Sequence, residues 1–262
     1  GGRFYIEIMP DVHFKAGMSC IDCHNGLELM GDGELHPTLR GQLDIACEDC
    51  HQPVFKDTPA LVAEAERLLG LNRLLPPLAQ KQVAATTKGA PLYALRPARQ
   101  LDVRAGATPG LALLYRKLDG VPLEMAYASA PQPHHALPGH ERLACQACHS
   151  PIVPQCYGCH VTLDPRAGQN DTLLGRETTG KWREFRGYTR FSSPALALTR
   201  GKGRDATQRI MPFSPCQVFV SVLDSDGNYR HAASPSEAAM TPMDPHATST
   251  RSRGCLECHL EP

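Results

Sequence analysis

Ten of the eleven cysteines in this 262-residue chain fall into five pairs with two residues between them, and histidine follows each pair at once. The five motifs occupy residues 20–24, 47–51, 145–149, 156–160 and 255–259. Histidine is 12 of the 262 residues, so five chance placements have a combined probability on the order of 2 × 10⁻⁷. CxxCH is the pattern that attaches c-type haem. Two thiols add to the two vinyl groups on one porphyrin edge, which fixes their separation. The adjacent histidine then offers its imidazole to the iron as the proximal ligand. A zinc ribbon also pairs CxxC motifs, but needs no histidine after each second cysteine. A thioredoxin-like site needs one CxxC beside a βαβ pattern. Disulfides between the pairs would leave the five histidines unexplained.

The residues Cys20-Ile-Asp-Cys23-His24, Cys47-Glu-Asp-Cys50-His51, Cys145-Gln-Ala-Cys148-His149, Cys156-Tyr-Gly-Cys159-His160 and Cys255-Leu-Glu-Cys258-His259 resemble the multihaem c-type cytochromes. So do the flanking stretches HFKAGMSCIDCHNG and MDPHATSTRSRGCLECH. The resemblance covers the motif-bearing parts and extends poorly over residues 56–133 and 165–240. It implies five covalent haem c groups, assembly outside the cytoplasm and electron transfer. The fold expected with it is mostly coil, with short α-helices and a small β-hairpin, organised around the haems.

Seven histidines remain beyond the five proximal ones: His13, His36, His134, His135, His140, His231 and His246. Five bis-His haems need five distal imidazoles. His13, His36, His140 and His246 rank first, because each lies in a Gly- or Pro-containing loop near a motif. The fifth falls to His135, with His134 and His231 as alternatives. Which distal histidine serves which iron stays open, and a neighbouring subunit can also donate one. Methionine is the other axial choice and raises the potential. Met9, Met18, Met211, Met240 and Met243 are available, but the supply of histidine favours all-His ligation.

Aromatics are 6 % of residues, with one Trp, while Gly numbers 22 and Pro 23. The haem faces are therefore expected to supply apolar core that the side chains lack. Residues 1–55 hold the first two motifs, 140–165 the third and fourth, and 166–262 the fifth, in one compact unit. His149 and Cys156 lie no more than about 25 Å apart along the chain, which makes those two sites neighbours. Residues 56–139 form a haem-free, Pro/Gly/Ala-rich insert. There Thr58 and Pro59 read as N-cap and first position of a helix over 61–69 ended by Gly70, with Leu61, Ala65, Leu68 and Leu69 on its buried stripe. A strand is expected near 92–95 and a short helix over 111–118. Val218, Val220 and Val222 alternate with Gln217, Phe219 and Ser221, which predicts a strand, a turn over 224–228 and a return strand over 229–232. The turn resembles a calcium loop but lacks its closing Glu. Cys216, the odd cysteine, reads as a buried, inert thiol beside that strand.

The 27 basic and 27 acidic side chains cancel, which argues against a general nucleic-acid binder. No apolar run approaches the roughly 18–20 residues of a membrane span. The chain starts at Gly1 without Met and reads as the trimmed product of an exported, periplasmic or extracellular protein. Charge is nevertheless uneven. Residues 1–51 carry 3 basic and 9 acidic groups, and residues 176–209 carry 9 basic and 3 acidic ones. The basic stretch reads as a partner for haem propionates. It also offers a face on which subunits meet head to tail and extend into a filament. Two functions follow. One is a non-enzymatic conduit that passes electrons between a redox protein partner and a second partner or external acceptor. The other is a reductase or oxidase of a small nitrogen or sulfur compound at one open haem. Pentahaem nitrite reductases share the motif count but typically use CxxCK at the catalytic haem. No CxxCK occurs here, which favours the conduit over an enzyme.

Overall fold

The structure, a computed structural model, describes residues 7–36, 39–97, 110–127, 136–185, 188–199, 208–231 and 237–259. The N-terminal part carries helices α1 (Val12–Lys15), α2 (Cys20–Cys23), α3 (Gly26–Met30), α4 (Leu39–Gln42) and α5 (Cys47–His51). Strand β1 (Phe55–Lys56) leads into α6 (Pro59–Leu71), β2 (Val83–Ala84), β3 (Leu95–Pro97), β4 (Gly110–Tyr115) and β5 (Pro122–Tyr127). Helix α7 (Cys145–His149) precedes β6 (Val153–Asp171), β7 (Arg176–Phe185), β8 (Tyr188–Ser192), β9 (Ala195–Leu198), β10 (Ile210–Leu223), β11 (Tyr229–His231) and β12 (Glu237–Pro242), and α8 (Leu256–His259) follows.

Twelve strands in three sheets among the described residues overturn the expected mostly-coil fold. The expectation counted only local alternation, whereas the largest sheet is built by pairing at long sequence range. Its spine is β10, which runs parallel to β6 along one edge. Along its length β10 also pairs with β9, β12 and β11 in turn, each antiparallel. β6 in turn carries β8 and then β7. Prolines interrupt both long strands, at Pro154 and Pro165 in β6 and at Pro212 and Pro215 in β10, and remove backbone donors. The predicted hairpin is present: Ser221, Val222 and Leu223 pair with His231, Arg230 and Tyr229. Asp224 closes its turn by accepting from the N–H groups of Asp226 and Asn228.

In the insert, Thr58 and Pro59 open α6 as expected, but Gly70 lies inside the helix, which runs to Leu71 with Asn72 as C-cap. The buried face is Val62, Ala65 and Leu69. The helix expected over 111–118 is strand β4. Ala and Leu favour helix by propensity, yet β4 pairs with β3 on one side and β5 on the other, and tertiary pairing overrides a preference of a few tenths of a kcal/mol per residue. Leu69, Leu75, Leu95, Ala112 and Leu114 form one buried cluster, against which Met18 and Cys50 pack. The insert is thus a platform beneath the first two motifs. Residues Tyr115–Gly120 clamp it to α2. The Lys117 N–H donates to Asp22 Oδ1 at 2.6 Å, and its ammonium donates to the Ile21 carbonyl at 2.7 Å while lying 5.1 Å from the centre of the Tyr93 ring.

Gly120, at φ +73°, lets that turn close, and a Cβ there would meet the Leu74 carbonyl oxygen at 2.4 Å. Gly89 has φ +94° with nothing near a Cβ position. Gly89→Ala is expected to cost only the left-handed penalty of about 1–2 kcal/mol. Gly120→Ala adds a backbone clash and should lower the denaturation midpoint further. Equal losses in urea titrations of the two variants would contradict the Leu74 contact.

Candidate metal centres

Four of the five CxxCH motifs sit on single helical turns, α2, α5, α7 and the start of α8. At about 1.5 Å rise per residue the two cysteines of a turn stand roughly 5 Å apart along the axis, on neighbouring positions of one face. Three of these turns hold themselves in shape with the acid at the second variable position. Asp22 accepts from the Ser19 N–H at 2.7 Å, Asp49 from the Ala46 N–H at 2.7 Å and Glu257 from the Gly254 N–H at 2.8 Å. Each thereby satisfies a donor at the helix start. The sequence shows this as Asp, Asp and Glu before the second cysteine, a regularity that the motif reading passed over. The third turn, without such an acid, is entered by backbone bonds from the Ala144 N–H to the Ile210 carbonyl and from the Ile210 N–H to the Arg142 carbonyl. The fourth motif differs: residues 156–160 lie within β6, where Cys156 and Cys159 are register partners of Cys216 and Val218 across a bulge. Tyr157 and Gly158 are poor helix formers, and a rise of about 3.3 Å per residue spreads the motif.

The helical motifs bring together histidines distant in sequence. His13 faces His51 with ring centroids 6.0 Å apart, His246 faces His24 at 5.9 Å, and His140 faces His259 at 5.8 Å. A metal–imidazole bond of about 2.0–2.1 Å on each side, with roughly 1.1 Å from nitrogen to ring centre, sets two imidazoles trans on one ion about 6.3 Å apart. The three observed gaps are within a few tenths of an ångström of that value. Each distal candidate precedes one motif but faces the histidine of another. Among the described residues no three His, Cys, Asp or Glu side chains gather around one point. The eight described cysteines are free thiols. Among the described residues the histidines thus meet as pairs of rings.

Four imidazoles are oriented through Nδ1, which leaves Nε2 free. His24 Nδ1 meets Glu28 Oε2 at 2.7 Å, and His13 Nδ1 meets Asp11 Oδ1 at 2.9 Å. His149 Nδ1 meets the Ser249 carbonyl at 3.1 Å, and His140 Nδ1 the Pro138 carbonyl at 3.3 Å. Such contacts fix tautomer and ring orientation in metal-ligating histidines. Burial raises the Glu28 carboxyl, but the Asp44 N–H, the His24 ring and the N–H groups of Asn25 and Ile45 outweigh it and hold the group below its ordinary 4.5. Asp11 is likewise raised by burial and carried lower by the N–H groups of His13 and Thr248. Burial, then the neighbouring His13 and His149 rings, keeps His51 below its usual value. Burial pushes the Cys23 thiol up to about 11 and the Cys50 thiol up to about 12. Cys47 and Cys145 share a hydrogen bond, which with burial raises Cys47.

One C-terminal strap ties these sites together. Asp244 accepts from Arg40 and Gln146, and the Thr248 N–H donates to Asp11 Oδ2 at 2.6 Å. The Ser249 N–H donates to the His149 carbonyl at 2.8 Å and the Arg253 N–H to the Cys148 carbonyl at 2.9 Å. The acidic and basic stretches meet within the chain at Arg209 and Glu48, 2.6 Å apart.

Among the described residues His36 joins no facing pair: its Nε2 is engaged by Asp32 at 2.9 Å. His134 and His135 lie outside the described residues, as do the side chains of His231, Cys216, Cys156 and Cys159. His160 is exposed and lines an open cavity of about 550 Å³ with Thr162, Phe185, Ser221 and Tyr229; Ser221 is the register partner of His231. Large apolar side chains stand open beside the helical motifs, among them Phe14, Ile21, Leu27, Met30 and Leu256. Flat apolar macrocycles on these turns would cover such surface. No helix among the described residues is long and apolar enough to cross a membrane. Comparison of the chain with family models, curated proteins and solved structures gave no match.

Glu28 has a lowered native value, so its stabilisation is present above the ordinary 4.5 and is lost as the pH falls through that lower value. Thermal unfolding followed from neutral pH into acid should show the melting temperature falling below about pH 4.5, with Glu28→Gln less stable at neutral pH and flatter on that limb. Parallel curves for the two proteins would exclude Glu28 as a source of the acid sensitivity.

Proposed function

We propose that this chain is a pentahaem c-type cytochrome, an electron conduit and not an enzyme, exported and working outside the cytoplasm. The observation that carries the reading is the set of three facing pairs, His13 with His51, His246 with His24 and His140 with His259, at 5.8–6.0 Å. Each pair joins a histidine of a CxxCH motif to one that sequence ranks as a distal ligand. Chance contact among histidines gives no reason for that matching. Haem, when bound, supplies an iron that cycles between ferric and ferrous states.

The chain's own residues would do four things. Cys20 and Cys23, Cys47 and Cys50, Cys145 and Cys148, and Cys255 and Cys258 stand on helical turns suited to thioether attachment. His24 and His149 present Nε2 beside them, and His51 and His259 would supply the imidazoles of the second and fifth sites. His13, His246 and His140 close the opposite side at three sites and exclude other ligands, which suits transfer with little rearrangement. Glu28, Asp11 and the Ser249 and Pro138 carbonyls hold the rings in place. For the fourth motif, Cys156, Cys159 and His160, the reading rests on the sequence. His36, His135, His134 and His231 are the reserve from which the third and fourth sites would draw.

Intact mass and a reduced pyridine haemochrome spectrum of native protein count covalent haems directly. Five are expected, and fewer than four would refute the reading. His246→Ala is expected to turn one haem from low to high spin in the ferric electron paramagnetic resonance spectrum while the covalent count stays unchanged. A spectrum identical to that of the parent protein would remove His246 from the ligand set.

A further inference from the structure

The second partners of the axial histidines divide the sites into two kinds. At the first motif, His24 Nδ1 is backed by Glu28 Oε2 at 2.7 Å, a carboxylate only 6 % exposed. At the second, His13 Nδ1 is backed by Asp11 Oδ1 at 2.9 Å. At the third and fifth the acceptors are neutral: the Ser249 carbonyl behind His149 at 3.1 Å and the Pro138 carbonyl behind His140 at 3.3 Å. A carboxylate draws the Nδ1 proton more strongly than an amide carbonyl and makes the imidazole a better donor through Nε2. A better donor favours the more positive metal and so lowers the reduction potential.

We infer that Glu28 and Asp11 are positioning residues that set the first and second haems below the third and fifth, which gives the conduit a downhill direction from its N-terminal pair toward the C-terminal pair. The inference rests on the pentahaem reading above. Fixed charge nearby has the same sense: residues 1–51 carry 9 acidic against 3 basic groups. Lys117 works against it at the first site, where its ammonium donates to the Ile21 carbonyl beside Cys23. The same ammonium also acts on Cys50 of the second motif, so it offsets both N-terminal sites and the two are lowered together.

The two carboxylates are not equal as targets for mutation. Glu28 also accepts from the Asp44 and Ile45 N–H groups, so its replacement disturbs packing. Asp11 accepts otherwise from the N–H groups of His13 and Thr248, and Asn in its place keeps the shape without the charge.

The test is a spectroelectrochemical titration of the whole holoprotein and its Asp11→Asn and Glu28→Gln variants, with Ser249→Ala as control because a carbonyl survives that change. In Asp11→Asn, one haem's share of the amplitude should leave the low-potential part of the titration and move upward while the rest stays in place. In Glu28→Gln, a second share of that low-potential part should do the same, and Ser249→Ala should leave every wave where it was. Variants that keep five covalent haems and low-spin spectra yet titrate like the parent protein overturn the inference, as does an equal shift of all waves. A parent protein with fewer than four covalent haems instead overturns the cytochrome reading, which keeps the two failures apart.

Discussion

Imidazoles that face one another across chain segments far apart in sequence are the contact on which the motif-bearing part of this molecule depends. His246 belongs to the approach to the last motif but faces the histidine of the first. His13 precedes the first motif and faces the second, and His140 precedes the third and faces the fifth. On the proposed reading each metal bond then closes a long loop, so ligation and tertiary structure form together. The strap from Asp244 to Arg253 is the polypeptide's own share in that closure. It bonds to Arg40, Asp11, His149 and Cys148, residues that belong to three separate stretches of chain.

The small platform and the large sheet serve this arrangement in different ways. The platform buries Leu69, Leu95 and Leu114 and holds α2 through Lys117 and Asp22, so the first attachment turn is fixed against a formed core. The large sheet carries the fourth motif in β6 and reaches the third through the start of β10. There Met211 and Phe213 pack on Ala144, and Ile210 bonds the chain on both sides of Leu143. These cores are modest in size. Much of the apolar surface beside the helical motifs stays open, surface that the haems of the proposed reading would cover.

Part of the fold could be read residue by residue. Thr58 and Pro59 mark the start of α6 because the cap and the fixed proline φ act locally. The hairpin of β10 and β11 follows from alternation and from an Asp-rich turn, which are also local. The segment over 111–118 misled because Leu and Ala carry helix propensity, while its pairing with residues near 95 and 125 lies beyond any window. The same holds for the sheet as a whole, whose parallel β6–β10 contact spans some sixty residues of chain. At the sites, the sequence singles out His13, His140 and His246 by their place near CxxCH motifs, and the structure sets each beside a motif histidine. Glu28 and Asp11 were not sought, although Glu28 stands one helical turn after His24 and Asp11 two residues before His13.

The sequence by itself determined which chemistry the chain is equipped for, because the two-residue gap and the adjacent histidine are covalent and local requirements that survive any fold. It also determined the supply of spare imidazoles. Only the tertiary structure decided which of them face which motif, that His36 turns to Asp32, and that the fourth motif runs through a strand. Those outcomes depend on pairings between segments tens to hundreds of residues apart, whose free energy comes from packing and backbone bonds that no single stretch of residues encodes.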